Sequence, residues 1–313
     1  MLAGVAVLSV LLYLLAFVFP YNIFELYPYP RLAVYRFAQD DPMVIWWLTI
    51  AFVIQYGLYF LGWRAAQQAR GRTAWLIVLG GALASGLVLL FLYPFDAADV
   101  FDHIMRGRIL SVYGGNPFQD VAAQFPDDPF YAYAAWRHVP SSYGPGWELL
   151  TAGITSLAGD GLITNVLAFK VVEGIFLTAS IGLVFLILRR AAPERSLAGV
   201  TLLAWNPLIL YETLGNAHND SVIIFMMLAA VLALLYRRYP LAILALVLGG
   251  MRVMISGTSS SRNAKAARWF SVRMRSSRYS NRNKRSLTPG GASPWSKTAT
   301  ARPSRSRSRS TSN

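Results

Sequence analysis

The chain has 313 residues, of which 55% are hydrophobic and only 14% charged, against about 25% charged in an ordinary soluble domain. With a mean hydropathy of +0.42, this excludes a water-soluble fold and implies an all-α, polytopic transmembrane helix bundle, since lipid leaves no unpaired backbone amides satisfied. Cysteine is absent, which excludes disulfides, thiolate metal sites and a cysteine nucleophile.

The net charge of +14 is unevenly distributed: residues 251–313 hold 15 Lys and Arg and no acid, leaving 14 basic and 15 acidic residues in 1–250. The basic excess is therefore a property of the tail and says nothing about the membrane part.

In chain order, the first apolar run is 2–19. It has no basic leader and no small-residue cleavage pattern before Pro20, so it reads as an uncleaved span. Runs 43–63 and 73–95 are also long enough to cross a bilayer, which takes about 20 helical residues. Hydropathy then collapses over 96–147, a long loop of the kind that is uncommon unless functional. Residues 147–158 are too short to cross and read as an interfacial or re-entrant helix. A long span, 162–188, is interrupted by Asn165, Lys170 and Glu173; the i,i+3 spacing predicts that Lys170 and Glu173 pair with each other. Two shorter spans, 197–211 and 221–236, flank a polar hairpin, and 241–250 begins another. Basic clusters at 64–72, 189–195 and 237–238 place those ends in the cytoplasm. Met1 then starts inside, and 96–147 and 215–220 lie on the extracytoplasmic face of the plasma membrane.

At Met251 the composition changes to a Ser- and Arg-rich tail containing Arg-Ser-Arg-Ser-Arg-Ser from Arg305. It reads as a disordered segment apart from the 1–250 domain, for which three accounts compete. It is a basic tail that touches anionic lipid or nucleic acid, an ordinary solvated terminus, or sequence outside the proper reading frame. The third is favoured, because an apolar helix dissolves halfway through.

The chemistry is concentrated in DAADVFDHIMRGRILSVYGGNPF, residues 96–118. Asp96, Asp99 and Asp102 fall at spacing three and share one helix face. His103, Arg106 and Arg108 follow, then a Gly-Gly-Asn-Pro turn. Carboxylates beside cations at a membrane surface suit a reaction needing a general base and an anion clamp. A solvated acidic helix lying on the bilayer would show the same residues. Such hard-oxygen ligands can also hold Mg or Mn, which the sequence leaves open; no other cofactor is indicated, and no Walker loop, dinucleotide fingerprint or HExxH occurs.

The stretch Asp99-Val100-Phe101, Gly107-Arg108 and Gly115-Asn116-Pro117-Phe118 resembles the first external loop of GT-C-type membrane glycosyltransferases that use polyprenyl-phosphate sugars. Ser142-Tyr143-Gly144-Pro145 is similar to the element opening the next membrane helix in that family. Asn206-Pro207 with Gly215-Asn216-Ala217-His218-Asn219-Asp220 resembles the hairpin of its polyprenol-phosphate-mannose-dependent members.

The resemblance implies transfer of a hexose, mannose by the subgroup, from a polyprenyl-phosphate donor to a glycan or lipid acceptor, with membrane lipids as surroundings and no nucleic acid partner. It implies Asp99 as general base, with Asp96 and Asp102 as rivals, and Arg106 and Arg108 on the leaving phosphate. It makes His103, Asn116, Tyr143, Asn216, His218 and Asp220 candidates for substrate binding; Tyr143, with Pro145, reads first as shaping the turn into the membrane, His218 could instead bond its hairpin neighbours, and Asp220 could equally cap the next helix. It also implies further C-terminal spans, which the tail replaces here, so the chain reads as a truncated member whose missing spans would impair activity. A transporter or flippase is the rival reading, since intramembrane Lys170 and Glu173 and the broken Asn206-Pro207 span suit one too.

Overall fold

A computed structural model describes residues 1–30, 39, 41–95 and 99–250, so Asp96 and the whole tail 251–313 lie outside the described residues. The chain divides into two units, Met1–Ile255 and Ser256–Asn313, and the architecture below is that of the first. Among the described residues all its regular elements are helical, with one isolated bridge between Asn22 and Leu92 and a long stretch of turns over 112–144.

Helix α1 (Leu2–Leu12) continues as a π-type turn, Tyr13–Val18. A short turn, α2 (Ile23–Leu26), is capped by the Asn22 side chain, which accepts from the Glu25 amide. Then come α3 (Met43–Gln68) and α4 (Arg72–Leu89). The loop region contains α5 (Asp99–Ser111) and leads into α6 (Pro145–Ala158). Helix α7 (Leu162–Ala191) is followed by α8 (Ser196–Ala204). Helix α9 (Pro207–Leu210) runs on as a π-type turn, Tyr211–Gly215. Last are α10 (Asp220–Leu235) and α11 (Tyr239–Gly250).

Three helices, α3, α4 and α7, are long and apolar enough to cross a membrane, and the pair Pro193–Ala204 and Pro207–Gly215, bent by 48°, makes a fourth if it is one span. Segments Leu2–Val18, Asp220–Leu235 and Tyr239–Gly250 are apolar but shorter. The protein is therefore an all-α membrane protein. The bend falls at Asn206-Pro207 because proline lacks an amide to continue the ladder, and Asn206 Oδ1 caps the new helix by accepting from Leu208 N at 3.1 Å and Ile209 N at 3.2 Å.

Two features depart from the sequence expectations. Helix α4 stops at Leu89, six residues short of the apolar run's end. From there the chain turns and pairs with the 21–23 segment, Ile23 N donating to Phe91 O and Tyr93 N to Tyr21 O, both at 2.8 Å.

The second departure concerns Lys170, which is fully buried. Its ammonium does not seek Glu173. It donates to Leu90 O at 3.0 Å and Leu89 O at 3.3 Å, and also to Leu92 O. The last carbonyls of a helix have no intrahelical partner and carry its negative dipole end, so a lysine there answers both. Glu173, one turn along, instead accepts from Ser221 Oγ at the start of α10. The predicted i,i+3 pair is thus replaced by two contacts distant in sequence.

Candidate active site

Helix α5 is not a solvated helix on the bilayer. Val100 to Ile109 are all buried, charged residues included. It packs closely against α6, and Gly107 makes this approach possible: a Cβ there would stand 2.6 Å from the Thr151 carbonyl oxygen. A residue of any other type would force the helices apart, so the Gly-Arg of the sequence pattern has a packing origin. Helix α5 ends in a turn where Gly114 adopts φ +64, a conformation glycine reaches without penalty. The Asn116 amide donates to Asp120 Oδ2 at 2.7 Å, and Asn116 Oδ1 accepts from Phe118 N at 3.1 Å. Asn116 therefore builds the turn and does not line the cavity.

The cavity, of about 240 Å³, is lined by Asp99, Asp102, His103, Arg106, Trp136, Val139, Ser142 and Tyr143. The first four sit at i, i+3, i+4 and i+7 of α5, a single helix stripe. Asp99 is the first residue of α5 and its side chain is 37% exposed, open to a substrate. Asp102 is buried; its Oδ1 accepts from Ala135 N at 3.1 Å and Trp136 N at 3.0 Å.

His103 Nδ1 accepts from the indole N–H of Trp147 at 3.1 Å, which leaves the neutral ring's proton on Nε2. The His103 ring meets Tyr143 edge to face at 4.6 Å, and the Arg106 guanidinium lies 5.6 Å from the centre of the same tyrosine ring. Arg106 is buried, and no ion pair or hydrogen bond within bonding distance engages it among the described residues. Nearby, Glu148 at the start of α6 is buried and accepts from Ser141 Oγ; burial pushes its carboxyl above the usual range, against the opposing pull of that hydroxyl and of Arg106.

Arg108 faces the other way. Two residues on from Arg106, it lies roughly 200° around the helix. Its Nε is 2.8 Å from Asp128 Oδ2 and its Nη1 2.7 Å from Asp160 Oδ1, while the guanidinium covers the Phe130 ring at 5.0 Å. It fastens the loop and is not among the cavity-lining residues.

The 216–219 hairpin comes to Asp99 from the other side of the sequence. His218 Nδ1 is 3.8 Å from Asp99 Oδ2, and its Nε2 is 3.5 Å from Glu212 Oε2. Asn216 is buried and donates to the same Glu212 oxygen at 3.2 Å. Glu212 is absent from the sequence expectations; its position between the apolar run that ends at Tyr211 and the hairpin that starts at Gly215 gave no motif to mark it. Asn219, not Asp220, takes the cap position of α10, and Asp220 is the exposed first residue, where a carboxylate suits the positive helix end. Among the described residues, no group of three or more His, Asp or Glu is arranged to hold a metal ion.

Asp102 yields a pH prediction. Burial, opposed by the Trp136 amide and Arg106, raises its carboxyl from 3.8 to about 6. A raised folded-state value means that the group's contribution to stability is fully present below pH 3.8 and lost as pH rises through about 6. Asp102→Asn, which cannot ionise, should therefore match the wild type near pH 4 and gain on it as pH rises to 7. The gain is at most about 3 kcal/mol. Melting temperatures in detergent across that range measure it; a difference independent of pH would contradict it.

Compared with known proteins, residues 6–260 match the family model of the alpha-(1->6)-mannopyranosyltransferase N-terminal domain. The chain is 26% identical over 155 residues to alpha-(1->6)-mannopyranosyltransferase A of Corynebacterium glutamicum, covering 48% of this chain and 31% of that protein. It is 24% identical over 141 residues to alpha-(1->6)-mannopyranosyltransferase B of the same organism, covering 42% and 22%. To a probable alpha-(1->6)-mannopyranosyltransferase of Mycolicibacterium smegmatis it is 27% identical over 149 residues, covering 45% and 26%. The chain thus spans about a third or less of the length of these curated relatives. No solved structure matches it.

Proposed function

Because this chain belongs to the alpha-(1->6)-mannopyranosyltransferase family, we propose that it transfers mannose from a polyprenyl-phosphate donor to a glycan or lipid acceptor. The reaction takes place in the α5 cavity, on the extracytoplasmic face of the plasma membrane. The acceptor hydroxyl attacks the anomeric carbon, the bond from that carbon to the phosphate oxygen breaks, and the hydroxyl proton passes to Asp99. The lipid phosphate leaves with the bonding pair, and the sugar passes through an oxocarbenium-like transition state.

The single observation that carries this reading is Arg106. A buried guanidinium with no anionic partner in bonding distance among the described residues, lining a cavity with an exposed carboxylate, is a site prepared for an anion. Tyr143 and His103 hold its surroundings in shape. Asp99 is preferred over Asp102 as base because it is open to the cavity, whereas Asp102 Oδ1 holds two loop amides. His218, steadied by Glu212, supports the Asp99 carboxylate. Arg108 and Asn116 are proposed here as loop-forming residues, with no contact to substrate. Transport loses its main support, because Lys170 and Glu173 are occupied with helix ends.

The test is a transfer assay with radiolabelled polyprenyl-phosphate mannose in liposomes. Arg106→Gln should reduce kcat/KM for the donor on the order of 10²-fold, and Arg106→Lys should recover part of it, since a point charge still attracts phosphate. Full activity in Arg106→Gln would rule out the phosphate role.

A further inference from the structure

Trp136 has no part in the chemistry above, yet its setting is unusual. Trp46 and Trp47 are 63% and 53% exposed near the start of α3, where lipid or its interface receives an indole. Trp136 is 55% exposed in the loop outside the crossing helices, and it lines the cavity. An indole presents a large apolar surface, and leaving it open to water is unfavourable without a partner to cover it.

The loop around it is also held firmly. Asp102 Oδ1 fixes the amides of Ala135 and Trp136. Arg137, the next residue, donates from Nε to Ala134 O at 3.1 Å and from Nη2 to Ala132 O at 2.9 Å, and stacks 4.1 Å from the Tyr131 ring centre. The Ala123 amide donates to Arg137 O at 2.8 Å. A fixed backbone presenting an open indole over a cavity is a binding surface, because the ordering cost is met before the ligand arrives.

We propose that Trp136 is the platform on which the terminal pyranose ring of a neutral glycan acceptor stacks, an assignment that rests on the transferase reading above. A pyranose carries a patch of C–H bonds with partial positive charge on one face, and the face of an aromatic ring carries partial negative charge. The donor brings a phosphate for Arg106. A neutral acceptor brings none, so its grip must come from an apolar face, with its hydroxyl turned toward Asp99 in the same cavity. Asp102 then acts as a positioning residue, through the loop it clamps.

The experiment uses the full chain in detergent. Binding of α-1,6-linked mannobiose is followed by saturation-transfer NMR, in parallel with transfer kinetics. Trp136→Ala should weaken mannobiose binding and raise the acceptor KM by about tenfold or more, with donor KM and melting temperature unchanged. Trp136→Phe, which keeps a π face, should stay within roughly threefold of the wild type. Unchanged binding in Trp136→Ala, an equal loss in Trp136→Phe, a rise confined to the donor KM, or a wild type that does not bind mannobiose would each overturn the assignment. Trp136-dependent mannobiose binding without any transfer would keep Trp136 as a sugar-stacking surface but remove the transferase reading, and with it the acceptor role.

Discussion

Asp99→Asn is expected to lower the rate of mannosyl transfer by about 10²–10⁴-fold, the usual contribution of a general base, with donor binding and fold preserved. The side chain is about a third exposed at the mouth of the cavity, so the isosteric amide removes basicity without leaving a hole or burying an unpaired group. The same exposure means that a purely structural carboxylate at this position would cost little when neutralised. A retained rate would therefore exclude Asp99 as base and shift the role to Asp102 or Asp96. These two separate by pH: a rate governed by Asp102 should rise through about pH 6, where that carboxyl ionises.

Arg108→Met is expected to destabilise the protein by about 3–5 kcal/mol, the usual cost of breaking one side of a buried ion pair. Its side chain is 3% exposed and that of Asp128 is 0% exposed. Removing the cation leaves the Asp128 carboxylate buried, with, among the described residues, the Tyr113 hydroxyl at 2.9 Å and the Phe130 amide at 2.8 Å to hold it. Adding Asp128→Asn should regain much of the loss, because the amide oxygen can still accept from Phe130 and no buried charge remains. Thermal unfolding of the single and double variants in detergent reads this directly. If Arg108→Met melted like the wild type but failed to bind donor, the arginine would belong on the phosphate after all. The two arginines of the sequence pattern thus give opposite expectations. Substitution of Arg106 is expected to affect the reaction, and substitution of Arg108 the fold.

This contrast shows what was legible in the sequence. The apolar runs 43–63 and 162–188 announced α3 and α7, because a span is a local property of composition. The stripe Asp99, Asp102, His103 and Arg106 was legible for the same reason, since helical spacing alone puts these residues on one face. Which of two neighbouring arginines met the cavity was not. That depended on Asp128 and Asp160, which lie 20 and 52 positions along the chain.

Burial of α5 was hidden too. Its charges read as a water-facing surface until the packing of Gly107 on Thr151 is seen. Lys170 and Glu173 followed the same rule. Their local spacing suggested a pair, and their energetics were settled by helix ends contributed from elsewhere in the fold. Trp136 and Glu212 belonged to no motif. The only trace of Trp136 was its place at the end of an aromatic and alanine run, Phe130 to Trp136, inside the long loop.

The contact of Lys170 with the end of α4 has a further consequence. Leu92 and Lys170 are 78 positions apart, and everything between them, α5, α6 and the cavity included, is a single excursion of the chain. The lysine closes that excursion at its base like a drawstring. Closing a loop of this length carries an entropic cost that grows only slowly with the number of residues, so the excursion can be long as long as its neck is secured. The neck is secured by an ammonium ion that cannot rest alone in lipid. Helix α7 and the end of α4 are thus tied together at the neck of the excursion that carries the cavity.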